Sequence, residues 1–297
     1  MTLRSCIAVC LPLVCGVVMM SSCKEETVDL RFVPEKNQPY ELAYQEDMTA
    51  DFKGEKQTHS LGSTFILNSL QDTGLNINAT YKRFWVKVTN ASDSLNVDTQ
   101  HPIAYRSDDP RTLVPATWQA VQGETFSYRM NNLGKLETVG SFTPLIHAIT
   151  KKVLPDSAAA SSPRFSQVWD IAAGQFSPAA ATAMLTTIFL EFPGHIIQKG
   201  DTLNRVYQVP GGMPLTILQV YTVSEINGDQ VTLILGGSGF SEKTESTSLK
   251  VGQEGTFKVN RHTGMLESAY LEATIDGKVE NEPFKQTSVI RATCKKM

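Results

Sequence analysis

From Tyr40 onward the chain is written in short alternating runs bounded by turn residues, the pattern of half-buried strands. Residues 60–70 place apolar side chains at Leu61, Phe65 and Leu67, Asp72-Thr73-Gly74 supplies a turn, and residues 75–81 alternate with period two. Together they predict a hairpin. A third run at 83–89 is followed by the polar stretch 90–100, which predicts a loop. The second half has the same grammar: residues 215–223, then Asn227-Gly228-Asp229, then 231–235. Asn-Gly between two apolar runs is a strong short-range hairpin signal. Two segments match more closely still. Gly123-Glu124-Thr125-Phe126 leads to Gly134-Lys135-Leu136-Glu137, and Glu254-Gly255-Thr256-Phe257 leads to Gly264-Met265-Leu266-Glu267, which predicts one β module used twice.

The middle of the chain changes period. Ser141-Phe142-Thr143-Pro144 opens a helix through Leu145, Ile146, Ile149 and Val153, and the small residues 156–163 form a linker. Ser162-Pro163 and Ser177-Pro178 each set a capping hydroxyl before a proline at the first helical position, where a missing N–H costs little. The second of these helices runs through the apolar residues 179–192 until Pro193-Gly194 stops it. It should pack across the open face of a sheet, and it is too short to cross a bilayer. The fold class expected is α+β, mostly antiparallel β in two related modules with a central helical insertion. The divisions are a signal peptide at 1–22, a lipidated tether at 23–39, a first β module at 40–142, the insertion at 143–195 and a second β module at 196–297.

The first residues carry an address. Arg4 precedes the apolar stretch 6–20, which Pro12 interrupts and which is too short for a membrane span, so it reads as the core of a signal peptide. Met20-Ser21-Ser22-Cys23 resembles a lipobox: an apolar residue, two small residues, then the cysteine that accepts lipid. Cys23 is the lipidation site expected, and the membrane, reached through that lipid, is the first partner expected. Cys15 is a weaker rival, because Pro12 holds the place of the aliphatic residue. Lys24-Glu25-Glu26 resembles a Lys-acidic-acidic surface-export signal and is also an ordinary solvated tether. An outer-membrane lipid anchor is therefore expected, with the surface and periplasmic faces both open.

Composition narrows the classes. The 297 residues include 27 Lys plus Arg against 30 Asp plus Glu, a net charge of −3 that loss of the leader makes one unit more negative. That balance, without a clustered basic face, argues against a nucleic-acid partner. Of five cysteines, three lie in the leader and Cys23 takes the lipid. Cys294 would remain alone, alternating with Ala292 and Ile290 as a buried strand thiol, so stability must come from burial and not from disulfides.

Candidate chemistry is sparse. His59, His101, His147, His195 and His262 are scattered singly, without a helical i,i+4 pair or a cysteine beside them, so no metal site is expected. Gly236-Gly237-Ser238-Gly239-Phe240 departs from a nucleophile elbow at Phe240 and reads as a strand ending in a glycine-rich loop. The carboxylate pairs Asp108-Asp109 and Glu25-Glu26 read as solvated loop residues. Asp93-Ser94-Leu95, Asp156-Ser157-Ala158 and Asp201-Thr202-Leu203 resemble an O-glycan acceptor pattern, the third at the opening of a strand. No catalytic residue and no cofactor is assigned.

The segment from Phe192-Pro193-Gly194-His195-Ile196-Ile197 to Gln198-Lys199-Gly200-Asp201-Thr202-Leu203 resembles the Phe-Pro, aliphatic, Gly-Asp-Ser/Thr-Trp segment of a family of exported bacterial lipoproteins of unknown function, with Leu203 where Trp is usual. Tyr105-Arg106-Ser107-Asp108 before a Gly-x-x-Phe hairpin, and the Gly-x-Leu-Glu turns, are similar to the same family. The resemblance spans roughly residues 40 to 295. It implies a duplicated β-rich fold with intervening helices and assigns no activity. The function expected is a non-catalytic binding or envelope-assembly lipoprotein for an apolar or glycan ligand or an envelope protein partner. The alternative is a structural subunit of a surface complex, with Trp85, Trp118 and Trp169 or the edge strands as contacts. A hydrolase would need a clustered Ser, His and acid group, which primary spacing does not exclude and no positive signal supports.

Overall fold

The period-two runs of both halves join one sheet instead of two modules. A computed structural model describes residues 26–72, 74–91, 93–155, 162–209, 215–242, 244 and 246–297. The leader, Cys23 with Lys24 and Glu25, and Asp156-Ser157-Ala158 lie outside the described residues. In chain order the elements begin with β1 (Thr27–Val28), β2 (Tyr40–Phe52), β3 (Glu55–Asp72), β4 (Gly74–Thr89) and β5 (Ser94–Asp98). A short 3₁₀ turn, α1 (Leu113–Gln119), β6 (Thr125–Met130) and β7 (Leu136–Val139) follow. Then come α2 (Thr143–Val153), α3 (Pro163–Gln175) and α4 (Pro178–Ile188). The rest is β8 (Ile197–Gln198), β9 (Thr202–Val209), β10 (Leu215–Asn227), β11 (Gln230–Ser241), β12 (Ser248–Asn260), β13 (Leu266–Val279) and β14 (Glu282–Lys296).

Among the described residues twelve strands form a single antiparallel sheet in the order β7-β6-β4-β3-β2-β14-β13-β12-β11-β10-β9, with β5 beside β4. The ladder between β2 and β14, from Tyr40 opposite Lys296 to Phe52 opposite Phe284, runs through the centre and fuses the two halves. That continuity overturns the expected α+β pair of modules around a helical insertion. The architecture is mostly antiparallel β with a few helices laid against one sheet.

Local differences have local causes. The runs at 75–81 and 83–89 are one strand, β4, because Lys82 is an extra residue opposite the Thr64–Phe65 step; this bulge moves the inward phase from Ile77, Ala79 and Tyr81 to Phe84 and Val86. The stretch 90–100 contains β5, whose Val97 is fully buried opposite Val86. Gly236 to Phe240 stay inside β11, paired with β10 and β12, and do not end it. Ser162 accepts from Phe165 N and Ser177 from Ala180 N, so both caps form as read. The last helix stops at Ile188, four residues before its expected end. Phe189 turns to extended backbone, Phe189, Leu190 and Phe192 are buried, and Phe192 N donates to Leu133 O at 2.7 Å.

The sheet is strongly curled. Phe32 N donates to Asn132 O in the β6–β7 turn and Val33 N to Thr263 O in the β12–β13 turn, each at 2.8 Å. In a flat sheet these turns would stand roughly 29 Å apart, six strand spacings of about 4.8 Å; consecutive residues bridge them here. One apolar core fills the concave side, running from Val28 to Cys294 and taking in α2, α3 and α4. Cys294 itself is buried, as its alternation predicted. Among the described residues no helix is long and apolar enough to cross a membrane, which says nothing of the strands.

Candidate functional site

The concave face is apolar near the core and then changes. The row crossing the sheet from β4 to β9 reads Val86, Leu61, Glu46, Ile290, Leu271, Gly255, Leu235, Tyr221 and Leu203, with one carboxylate among apolar neighbours. The next inward row, two residues further along each strand, contains His59, Met48, Ser288, Ala273, Gln253, Gly237, Gln219 and Arg205. Part of that row is linked: Tyr221 OH donates to Gln219 Oε1 at 2.9 Å, and Gln219 Nε2 to Gln253 Oε1 at 2.9 Å. Arg205 reaches the end of α4, donating to Thr186 O at 2.6 Å.

A cavity of about 340 Å³ opens between this face and the junction of α3 and α4. The sheet contributes Tyr44, Glu46, Leu61, Phe65, Tyr81, Phe84 and Ile290, and the junction contributes Phe176, Ala181 and Met184. The junction is held in place by Phe176, which caps α3 and sets its ring edge-on to Tyr81 (5.7 Å) and Phe84 (5.2 Å). Ser177 starts α4 immediately afterwards, so the reversal between the helices is fixed by one aromatic anchor and one hydroxyl cap.

Polar side chains interrupt the apolar lining: Ser63, Gln175, Ser177 and Thr187 stand in it beside Tyr44, Glu46 and Tyr81. Tyr44 OH donates to Glu46 Oε2 at 2.9 Å, and burial followed by the Glu46 charge holds the Tyr44 phenol well above its ordinary range. Glu46 is half-buried and has no cation in ion-pair distance among the described residues. Tyr81 is 7% exposed and its hydroxyl meets no hydrogen-bond partner among the described residues; burial alone pushes its pKa up. Among the described residues the hydroxyl–carboxylate contact in this lining is that of Tyr44 with Glu46, and the arrangement has the room and the apolar wall to hold a molecule.

The sequence candidates are dispersed. His59 lies on the inner face of β3, His101 stands 3.6 Å from Asp98, His147 packs against Phe165, His195 is exposed and His262 contacts Asp229 at 3.0 Å. Among the described residues no three His, Cys, Asp or Glu side chains could share a metal ion. Asp108 and Asp109 are answered separately, by Arg106 and Arg111. Trp85 covers Gly62 on the outer face, where any Cβ would overlap the indole, and Trp169 stacks on Phe165. The buried Trp118 Nε1 has no partner among the described residues. Burial pushes the Cys294 thiol up to about 12, so it is not a nucleophile at neutral pH. Sequence reading did not single out Glu46. Its signal was present: the inward series Tyr40, Leu42, Tyr44 continues with an acid.

No curated protein matches the chain. Among solved structures it is similar to lipovitellin, in a structure concerned with lipid–protein interactions, at 7% identity and a TM-score of 0.47, over 88% of this chain and 25% of that one. The chain thus spans about a quarter of lipovitellin. It is also similar to the COG4313 outer membrane channel of Pseudomonas putida F1 (10% identity, TM-score 0.23, 90% of this chain and 98% of that one). A third likeness is to OccK5 (OpdH) of Pseudomonas aeruginosa (6%, 0.25, 90% and 99%). Likenesses at these scores say nothing of what the chain binds. Residues 72–266 match the model of a family of unknown function, and the chain belongs to that family, DUF6263.

Proposed function

We propose that this protein is a non-catalytic lipoprotein, anchored in the cell envelope by lipid on Cys23, whose curled sheet holds an apolar ligand. The observation that carries the reading is the cavity of about 340 Å³ between the sheet and the α3–α4 junction. Its size falls at the lower end of small-molecule sites, and aromatic and aliphatic side chains predominate in its wall, as such sites require. Purely apolar side chains outnumber those with polar atoms around it, which suits an apolar body better than a glycan. The anchor rests on Met20-Ser21-Ser22-Cys23 after an interrupted apolar stretch and places the cavity close to a membrane that could supply or receive such a ligand.

Mass spectrometry of the protein taken from its native membranes tests both parts. The expected result is an amino-terminal peptide beginning at lipid-modified Cys23 and one apolar molecule retained per chain. Met184→Trp, which puts an indole into the cavity, should lose that molecule while the circular dichroism of the sheet is unchanged. Protein that carries no apolar molecule from native membranes refutes the binding reading; an unmodified cysteine refutes the anchor.

A further inference from the structure

We infer that the cavity takes an amphiphile whose polar end is cationic or an uncharged hydroxyl, and that Glu46 excludes anionic lipids such as fatty-acid carboxylates. This rests on the cavity being a ligand site. Glu46 interrupts an otherwise apolar cross-sheet row, at the step where the concave face passes from apolar to polar. Tyr44 OH supplies one hydrogen bond at 2.9 Å, and no Lys or Arg lies in ion-pair distance among the described residues. The second carboxylate oxygen is left to accept from water or from a ligand.

A second observation points the same way. Tyr81 lines the same cavity, 7% exposed as a residue, and its hydroxyl has no hydrogen-bond partner among the described residues, so it is free to bond to a ligand. A hydroxyl or ammonium headgroup can satisfy a carboxylate, and a hydroxyl can also bond to a phenol. A carboxylate or phosphate headgroup would set a second negative charge beside Glu46, in surroundings where two like charges repel far more than in water. The tail of the amphiphile would lie against Phe65, Phe84, Phe142 and Phe176.

The test uses membranes carrying the full chain and photoreactive dodecylamine, dodecanol and dodecanoate, with the labelled peptide identified by mass spectrometry. Peptides spanning Phe176 to Met184 should be labelled by the amine and the alcohol, and roughly tenfold less by the carboxylate, a difference of about 1.4 kcal/mol. In Glu46→Gln, which still accepts from Tyr44, the carboxylate should label as well as the alcohol. In Tyr81→Phe the alcohol should label less while the carboxylate stays excluded. Equal labelling by all three probes in the unaltered chain, or exclusion of the carboxylate that survives Glu46→Gln, overturns this inference and leaves the cavity reading standing. No labelling of these peptides by any probe overturns the cavity reading itself.

Discussion

Asp98 on β5 takes two hydrogen bonds from Arg83 on the neighbouring β4, at 3.2 and 2.7 Å, and this guanidinium holds its carboxyl below the ordinary value of 3.8. The folded chain therefore binds that proton less readily than the unfolded one. The stabilisation is complete above the ordinary carboxylate value and is lost as the pH falls through it toward the depressed folded value. Asp98→Asn should unfold at lower urea at neutral pH, and its midpoint should fall less than that of the parent between about pH 5 and pH 3. Parallel acid limbs for the two proteins would show that the pair adds nothing. Single residues were unevenly legible in the sequence. Cys294 was read correctly because alternation alone fixes which way a strand residue faces, and its neighbours are apolar. Glu46 is fixed by the same alternation, but its meaning depends on Ile290 and Leu61 flanking it and on α4 standing opposite, none of which is local in the chain.

Elements were legible where a local rule decides them. Ser162-Pro163 and Ser177-Pro178 open helices because a hydroxyl and a proline suffice. The end of α4 is a tertiary matter, since the Phe192 amide goes to Leu133 and not to its own helix. β5 was missed because its pattern is mostly polar, and Val97, with half-buried Leu95 beside it, ties it to the core. The glycines of the hairpin turns were read as repeated sequence; in the fold they allow close approach. Gly264 has φ +62°, and a Cβ there would meet the Arg31 carbonyl and the Phe192 ring. Gly264→Ala should thus cost more than about 1 kcal/mol, whereas Gly174→Ala, with open space inside α3, should gain about 0.5–1 kcal/mol. Urea midpoints read both, and a neutral Gly264→Ala would mean that the crossing of chain segments at this turn is loose.

On the scale of the whole molecule the sequence predicted strand content well and assembly poorly. Hairpins are local, but the ladder between β2 and β14 joins residues at opposite ends of the chain, and no periodicity encodes that partnership. One sheet around one principal core should unfold as one unit. Calorimetry should show a single transition with agreeing calorimetric and van't Hoff enthalpies; two separable transitions would restore two independent halves. The same ladder sets an order in time. β2 is complete at Phe52, and its partner does not begin until Glu282. At about 5–20 residues per second of synthesis, β2 waits roughly ten to fifty seconds with one row of its N–H and C=O groups unanswered. Until β14 arrives, the first half of this protein is an open template for any other extended chain, so its survival depends on being kept from folding, or from meeting copies of itself, until the last strand has emerged.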